Sequence, residues 1–132
     1  MTTANEARTS LYQEFSDNWT LSPYTFPNEA FDEPETEWVR LSVLNGAGGQ
    51  HTLNKPGARI YRRLGIVFAE IFVPTDAGIA LADSLGQAVL TIFEGKRIGE
   101  VSLNDGVLLE VGPQGRWFKM NATIALDYDE TK

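Results

Sequence analysis

Residues 62–95 read RRLGIVFAEIFVPTDAGIALADSLGQAVLTIFEG, and the fold turns on how this stretch is parsed. Residues 66–73 (IVFAEIFV) form an almost continuous apolar run rich in β-branched and aromatic types. Such a run suits a strand covered on both faces. Pro74 has no N–H to give a neighbour, so it should end the pairing. Thr75 and Asp76 are of the types that cap a helix N-terminus. Leu81, Leu85, Ala88 and Ile92 then recur at the spacing of one helix face, with Ser84, Gln87, Thr91 and Glu94 opposite. Gly95 is a natural terminator for that helix. One residue is out of place. Glu70 shares its strand face with Ile66, Phe68 and Phe72, and a lone carboxylate there needs a partner.

Working outward, residues 3–6 (TANE) match a capping box, with Thr3 as cap and Glu6 reaching back. Ala4, Ala7, Leu11 and Phe15 mark one face of a helix to about Ser16, too short to be stable unpacked. Residues 19–37 are broken by Pro23, Pro27 and Pro34 and read as a loop with one short extended piece near Tyr24 to Phe26. The rings of Tyr24, Phe26 and Phe31 would pin that loop. A proline-rich ligand segment is the weaker reading, because no PxxP repeat is sustained. Residues 38–44 alternate, with Val39, Leu41 and Val43 facing one way and Trp38, Arg40 and Ser42 the other, as in a half-buried strand.

Residues 45–59 (NGAGGQHTLNKPGAR) form a long, flexible connection to the 66–73 strand. Structureless loops of this length are uncommon and often functional. Residues 96–103 would be a short strand or an irregular piece, and residues 104–106 (NDG) a turn. Residues 107–111 alternate as a strand, residues 112–115 turn, and residues 117–128 form the longest strand. On it Phe118, Met120, Ala122, Ile124 and Leu126 face inward. Residues 129–132 are left as a polar, flexible end, as are residues 1–3. The expectation is therefore one α+β domain over residues 1–132. It has a mixed or antiparallel sheet and two helices packed mainly on one face, the N-terminal helix first.

The composition excludes several functions. The chain has no cysteine, so it has no disulfide, thiol nucleophile or zinc–thiolate site. No stretch approaches the ~20 apolar residues of a membrane span, and no basic-then-apolar leader is visible at the N-terminus. The net charge of −7 is uneven. Residues 1–36 carry one base and seven acids, whereas no acid occurs between Glu37 and Glu70. Either these are solvated loops that differ in sign, or they are complementary patches within or between chains.

Catalytic signals are absent. The glycines near residue 46 lack the GK[ST] of a phosphate loop and the GxGxxG spacing of a dinucleotide fingerprint. His51 has no metal-ligand companion and reads as an exposed loop residue. No serine sits in a nucleophile context. Glu70 could be a general acid or base, could pair with Arg40 or with Arg62–Arg63, or could face a partner. The basic residues from Arg40 to Arg63 lack interleaved stacking aromatics, and the whole chain is acidic, so specific nucleic-acid binding is not expected. No catalytic, cofactor-binding or metal-binding residue is assigned.

Three stretches carry a resemblance. Residues 22–44 (SPYTFPNEAFDEPETEWVRLSVL) look like a proline–aromatic–Pro–Asn–Glu loop running into a Trp-Val-Arg strand. Residues 62–93 look like a double-arginine, glycine, apolar strand ending in proline and followed by a helix. Residues 115–130 (GRWFKMNATIALDYDE) look like a closing aromatic strand. Together they resemble the tail terminator, or tail completion, proteins of long-tailed bacteriophages, the group related to minor tail protein U of phage lambda. The agreement spans roughly residues 5–130. It departs at residues 73–78 (VPTDAG), where a more glycine-rich turn is expected.

The resemblance implies a structural virion protein and not an enzyme, with no cofactor. It implies a homo-oligomeric ring, six-fold in the family, that caps the tail tube, stops its polymerisation and joins the head connector or stopper. Genomic DNA would pass through its channel without specific binding. It would sit at the head-proximal end of the virion tail, after assembly in the bacterial cytoplasm, with no membrane. A head-completion or neck ring protein is the alternative, followed by a small ligand-binding or enzymatic domain. On the ring reading, Glu29, Asp32, Glu33, Glu35, Glu37, Trp38, Arg40, Arg59, Arg62, Arg63, Glu70 and Phe72 are candidates for subunit interfaces, with the acidic loop from Glu29 to Glu37 of one copy meeting the basic Arg59 to Arg63 region of the next. Gln50, His51 and Lys55 would face the channel or the tube.

Overall fold

The structure is a computed structural model that describes residues 3–46 and 48–132. Two helices and seven strands form one α+β domain. In chain order they are α1 (Ala4–Asn18), β1 (Tyr24–Thr25), β2 (Trp38–Asn45), β3 (Gly49–Gln50), β4 (Ile60–Pro74), α2 (Ala80–Phe93), β5 (Arg97–Ile98), β6 (Val101–Gln114) and β7 (Trp117–Thr131). The sheet order is β1-β2-β4-β7-β6-β5, with β3 also on β4. Among the described residues only β1–β2 is parallel, so the sheet is mixed. The strands on either side of the 45–59 connection, β2 and β4, pair antiparallel, as do β6 and β7.

Both helices cover the same face. Ala7, Leu11 and Phe15 of α1 and Ala82, Leu85, Val89 and Phe93 of α2 meet Val39, Leu41, Val67, Ile71, Met120 and Ile124 of the sheet in one core. The capping box forms, with the Glu6 amide donating to Thr3 Oγ1 at 3.2 Å. The buried side of α2 is rotated from the expected stripe. Leu85 and Ile92 are buried, Leu81 and Ala88 are only half-buried, and Ala82, Val89 and Phe93 complete the contact. The rotation brings Gly86 against β6, where a Cβ would lie 2.8 Å from Leu108 Cδ2.

Several boundaries differ from the sequence reading. Thr75 and Asp76 do not cap α2, whose N-cap is Ile79, with no side-chain hydrogen bond. Pairing continues one residue past Pro74, as the Thr75 amide donates to the Arg116 carbonyl at 3.0 Å. The chain then turns through left-handed Asp76 and Gly78 before the helix begins. Residues 104–106 are a bulge inside β6 and not a turn. There the Gly106 amide donates to Glu94 Oε2 at 2.5 Å, and α2 comes so close that a Cβ on residue 106 would strike Leu90. The expected 112–115 turn narrows to Gly115 and Arg116, because β6 runs on to Gln114 after a second bulge. Residues 129–131 are not a loose polar end but the last part of β7, paired to Ile60, Tyr61 and Arg62. β7 therefore shares its length, 15 residues, with β4. In the connection after β2, β3 folds back on β4, and Ala47 lies outside the described residues.

Candidate functional site

The face of the sheet away from the helices carries alternate residues of β2, β4 and β7. In register these give Trp38 opposite Phe72, Arg40 opposite Glu70, and Phe72 opposite Lys119. The expected half-buried strand is covered more fully than alternation suggests, since Trp38 and Ser42 are buried. The cover comes from the loop before β2. Phe31 packs on Trp38, which stacks on Phe72 at 4.1 Å between ring centres and meets Trp117 edge-on. Arg116 Nη2 donates to the Pro34 carbonyl, and Trp117 Nε1 donates to Glu33. Loop pinning by aromatic rings therefore holds. Tyr24 packs edge-on to Phe15 and Phe26 stacks on Tyr12.

Glu70 finds two cations beside this cluster. Arg40 Nη1 lies 3.5 Å from one carboxylate oxygen and Lys119 Nζ 2.5 Å from the other. The cations also sit over aromatic faces, Arg40 over Trp38 and Lys119 over Phe72. A carboxylate tied to both neighbouring strands locks three strands together, and removing one partner of such a set costs about 1–3 kcal/mol. Lys119 is the partner that sequence spacing does not reveal, because only the β4–β7 register brings it to Glu70.

Arg62 and Arg63 are likewise engaged within the chain. Arg62 Nε lies 2.8 Å from Asp129 Oδ1, and Arg63 Nη2 lies 3.0 Å from Glu130 Oε1. The hydrogen bond to Asp129 raises the Arg62 pKa above its ordinary value. Arg59 Nε donates to the Asn54 carbonyl. Of the acidic loop, Glu33 also pairs with Arg116 at 3.8 Å, while Glu29, Asp32 and Glu35 are exposed and Glu37 is half-exposed. Gln50, His51 and Lys55 are exposed on the connection to β4. The candidate residues thus fall into two groups at opposite ends of β4, with Glu70 and Phe72 near its C-terminal end and Arg59, Arg62 and Arg63 near its start. Among the described residues, no group of three or more His, Cys, Asp or Glu could hold a metal ion, and no helix is long and apolar enough to cross a membrane.

The two long edges of the sheet differ. On β2 the Val39 amide donates to the Pro23 carbonyl, and the Val43 carbonyl accepts from Arg8 Nη2 at 3.2 Å. Odd-numbered residues of β2 therefore turn their backbone groups outward, where Pro23 and Arg8 of α1 meet those of Val39 and Val43. Tyr12 reaches the same place. Burial pushes its hydroxyl above the ordinary value, against Arg8 and a hydrogen bond with the Val43 backbone. On β6 the Leu103 amide donates to the Lys96 carbonyl and the Gly106 amide to Glu94. The β6–β7 register then aims the backbone of Leu108 and Glu110 outward too, and no group among the described residues meets them. Val107, Leu109 and Val111 are 49%, 54% and 44% exposed there. Alternation at residues 107–111 announces the strand but not that its edge is open.

The family model described as phage tail terminator protein matches residues 6–111. A solved structure superposes with a TM-score of 0.64 at 12% identity, covering 91% of this chain and 94% of its own, a likeness of fold. No match is found among curated proteins.

Proposed function

The chain belongs to the phage tail terminator protein family, a structural family of the virion tail, and from that premise we propose that it closes the tail. On this reading copies of the chain form a ring, six-fold as the resemblance implies. The ring caps the tail tube at its head-proximal end, stops polymerisation, and gives the head connector or stopper its seat. It assembles in the host cytoplasm. The family match over residues 6–111 carries the reading.

Two features support it. A ring needs two different surfaces on each subunit, so that each copy meets the next head to tail and the rotation closes. The chain has such unlike surfaces: the acidic loop with Glu29, Asp32 and Glu35, the connection with Gln50, His51 and Lys55, and an unpaired β6 edge. The net charge of −7 also suits a channel through which DNA slides, because basic side chains would hold phosphate regardless of sequence. The acidic loop is proposed as one interface side. Its counterpart at Arg62 and Arg63 would have to share those cations with Asp129 and Glu130 of the same subunit.

The test is electron microscopy of particles assembled without this chain. Tails of irregular, overgrown length that fail to join heads are expected, and purified protein added back should restore joining. Tails of normal length carrying heads would overturn the reading. Heads that leak DNA on otherwise normal tails would favour a head-completion protein.

A further inference from the structure

Leu53 is 97% exposed, on the stretch of the β2–β4 connection that has no strand or helix of its own. A leucine held wholly in water contributes nothing to its own fold and gains about 1.5–3 kcal/mol when buried elsewhere. The same stretch is basic. From residue 46 to residue 59 the chain carries Lys55 and Arg59 and no acid. Elsewhere on the molecule lies its complement. A groove of about 610 Å³ runs between α2 and the β6 edge, lined by Asp83, Ser84, Gln87, Ala88, Thr91 and Leu108. Neither α2 nor β6 contains a lysine or arginine, whereas Asp83, Asp105 and Glu110 lie on them. Beside it the outward backbone groups of Leu108 and Glu110 meet no partner among the described residues. Open edges of this kind are normally blunted by charge, proline or cover, unless another chain completes them.

We propose that the 51–55 arm of one copy lies along the β6 edge of the next. Leu53 seats against Leu108 and Ala88, and Lys55 sits beside Asp83. The arm supplies one apolar anchor and positive charge, while the His51 and Thr52 amides and the Thr52, Asn54 and Lys55 carbonyls stay bonded within their own loop. The groove supplies an apolar floor and negative charge, so the mode is a side-chain anchor in a pocket with complementary charge beside it. Arm and groove are different surfaces, so the contact is head to tail and compatible with closure into a ring. The inference rests on the ring reading and names its joint.

The chain has no cysteine, so paired substitutions report this contact without background. The experiment oxidises Leu53→Cys/Gln87→Cys protein, mixed with purified tail tubes, and reads denaturing gels without reductant beside native mass spectrometry of the unmodified chain. A ladder of covalent oligomers ending at the ring size is expected, with each single variant giving dimers at most. Leu53→Asp should lower the assembled fraction at least tenfold, with an unchanged melting temperature. Rings that assemble normally but give no ladder would overturn the arm–groove joint and leave the ring reading standing. So would covalent dimers from Leu109→Cys alone at ring yield, which place β6 against β6. No ring from the unmodified chain, free or on tubes, would overturn both.

Discussion

The two long edges of the sheet face the same physical problem and meet it differently. At the β2 edge the outward backbone of Val39 and Val43 is bonded by Pro23 and Arg8, and α1 lies over the strand. At the β6 edge only the first part is covered, by β5 and Glu94, and Val107, Leu109 and Val111 are left about half-exposed to water. An N-terminal helix that caps one edge of its own sheet spends no interface, whereas an uncapped edge holds a template for another chain. On the ring reading, the difference separates the part of the molecule that stabilises each copy from the part left over for assembly.

The comparison breaks most severely at Phe15, which joins α1 to the β2 side. It is buried and packs on Trp19, Tyr24 and Phe93. Phe15→Ala should cost about 3–5 kcal/mol through the cavity it leaves, read from the denaturant midpoint. Hydrogen exchange should show the β2 amides losing protection, with the β6 amides of Leu108 and Glu110 already fast in the unaltered protein. Equal protection of Val39 and Leu108 before mutation would refute the contrast between the edges. Arg8→Ala removes a single cap and should cost about 0.5–1.5 kcal/mol, with faster exchange confined to β2. Leu109→Lys acts on the other edge and should change stability by less than about 0.5 kcal/mol, as an exposed site does. Its effect should appear instead as a lower assembled fraction, measured by light scattering. A large stability loss there would mean that β6 is held by its own chain.

Much of the subunit was legible because local patterns have local causes. The capping box at Thr3 to Glu6, the strand at residues 38–44, the β4 run and the aromatic pinning of the acidic loop follow from periodicity and side-chain type. The misses share another origin. Residues 104–106 spell a turn, but α2 presses on Gly106 and converts it to a bulge. Thr75 and Asp76 are good caps, but the Arg116 carbonyl draws Thr75 into the sheet. The α2 stripe is rotated because Gly86 lets the helix settle against Leu108. Glu70 signalled its need for a partner, yet Lys119 could be named only once β4 and β7 were in register.

By itself, the sequence determined the two helices and the main runs of β2, β4 and β7, that the chain has no thiol chemistry, that the charge is divided between an acidic loop and a basic stretch, and, through three stretches taken together, the tail terminator family. These properties are written in neighbouring residues, where side-chain size, charge and backbone freedom act directly. The tertiary structure alone decided that Arg62 and Arg63 are matched by Asp129 and Glu130, that α1 caps β2, and that the outward backbone of Leu108 and Glu110 and the Leu53 side chain meet no partner among the described residues. Pairing across a sheet depends on register between strands far apart in the chain, and an open edge is defined by what fails to reach it.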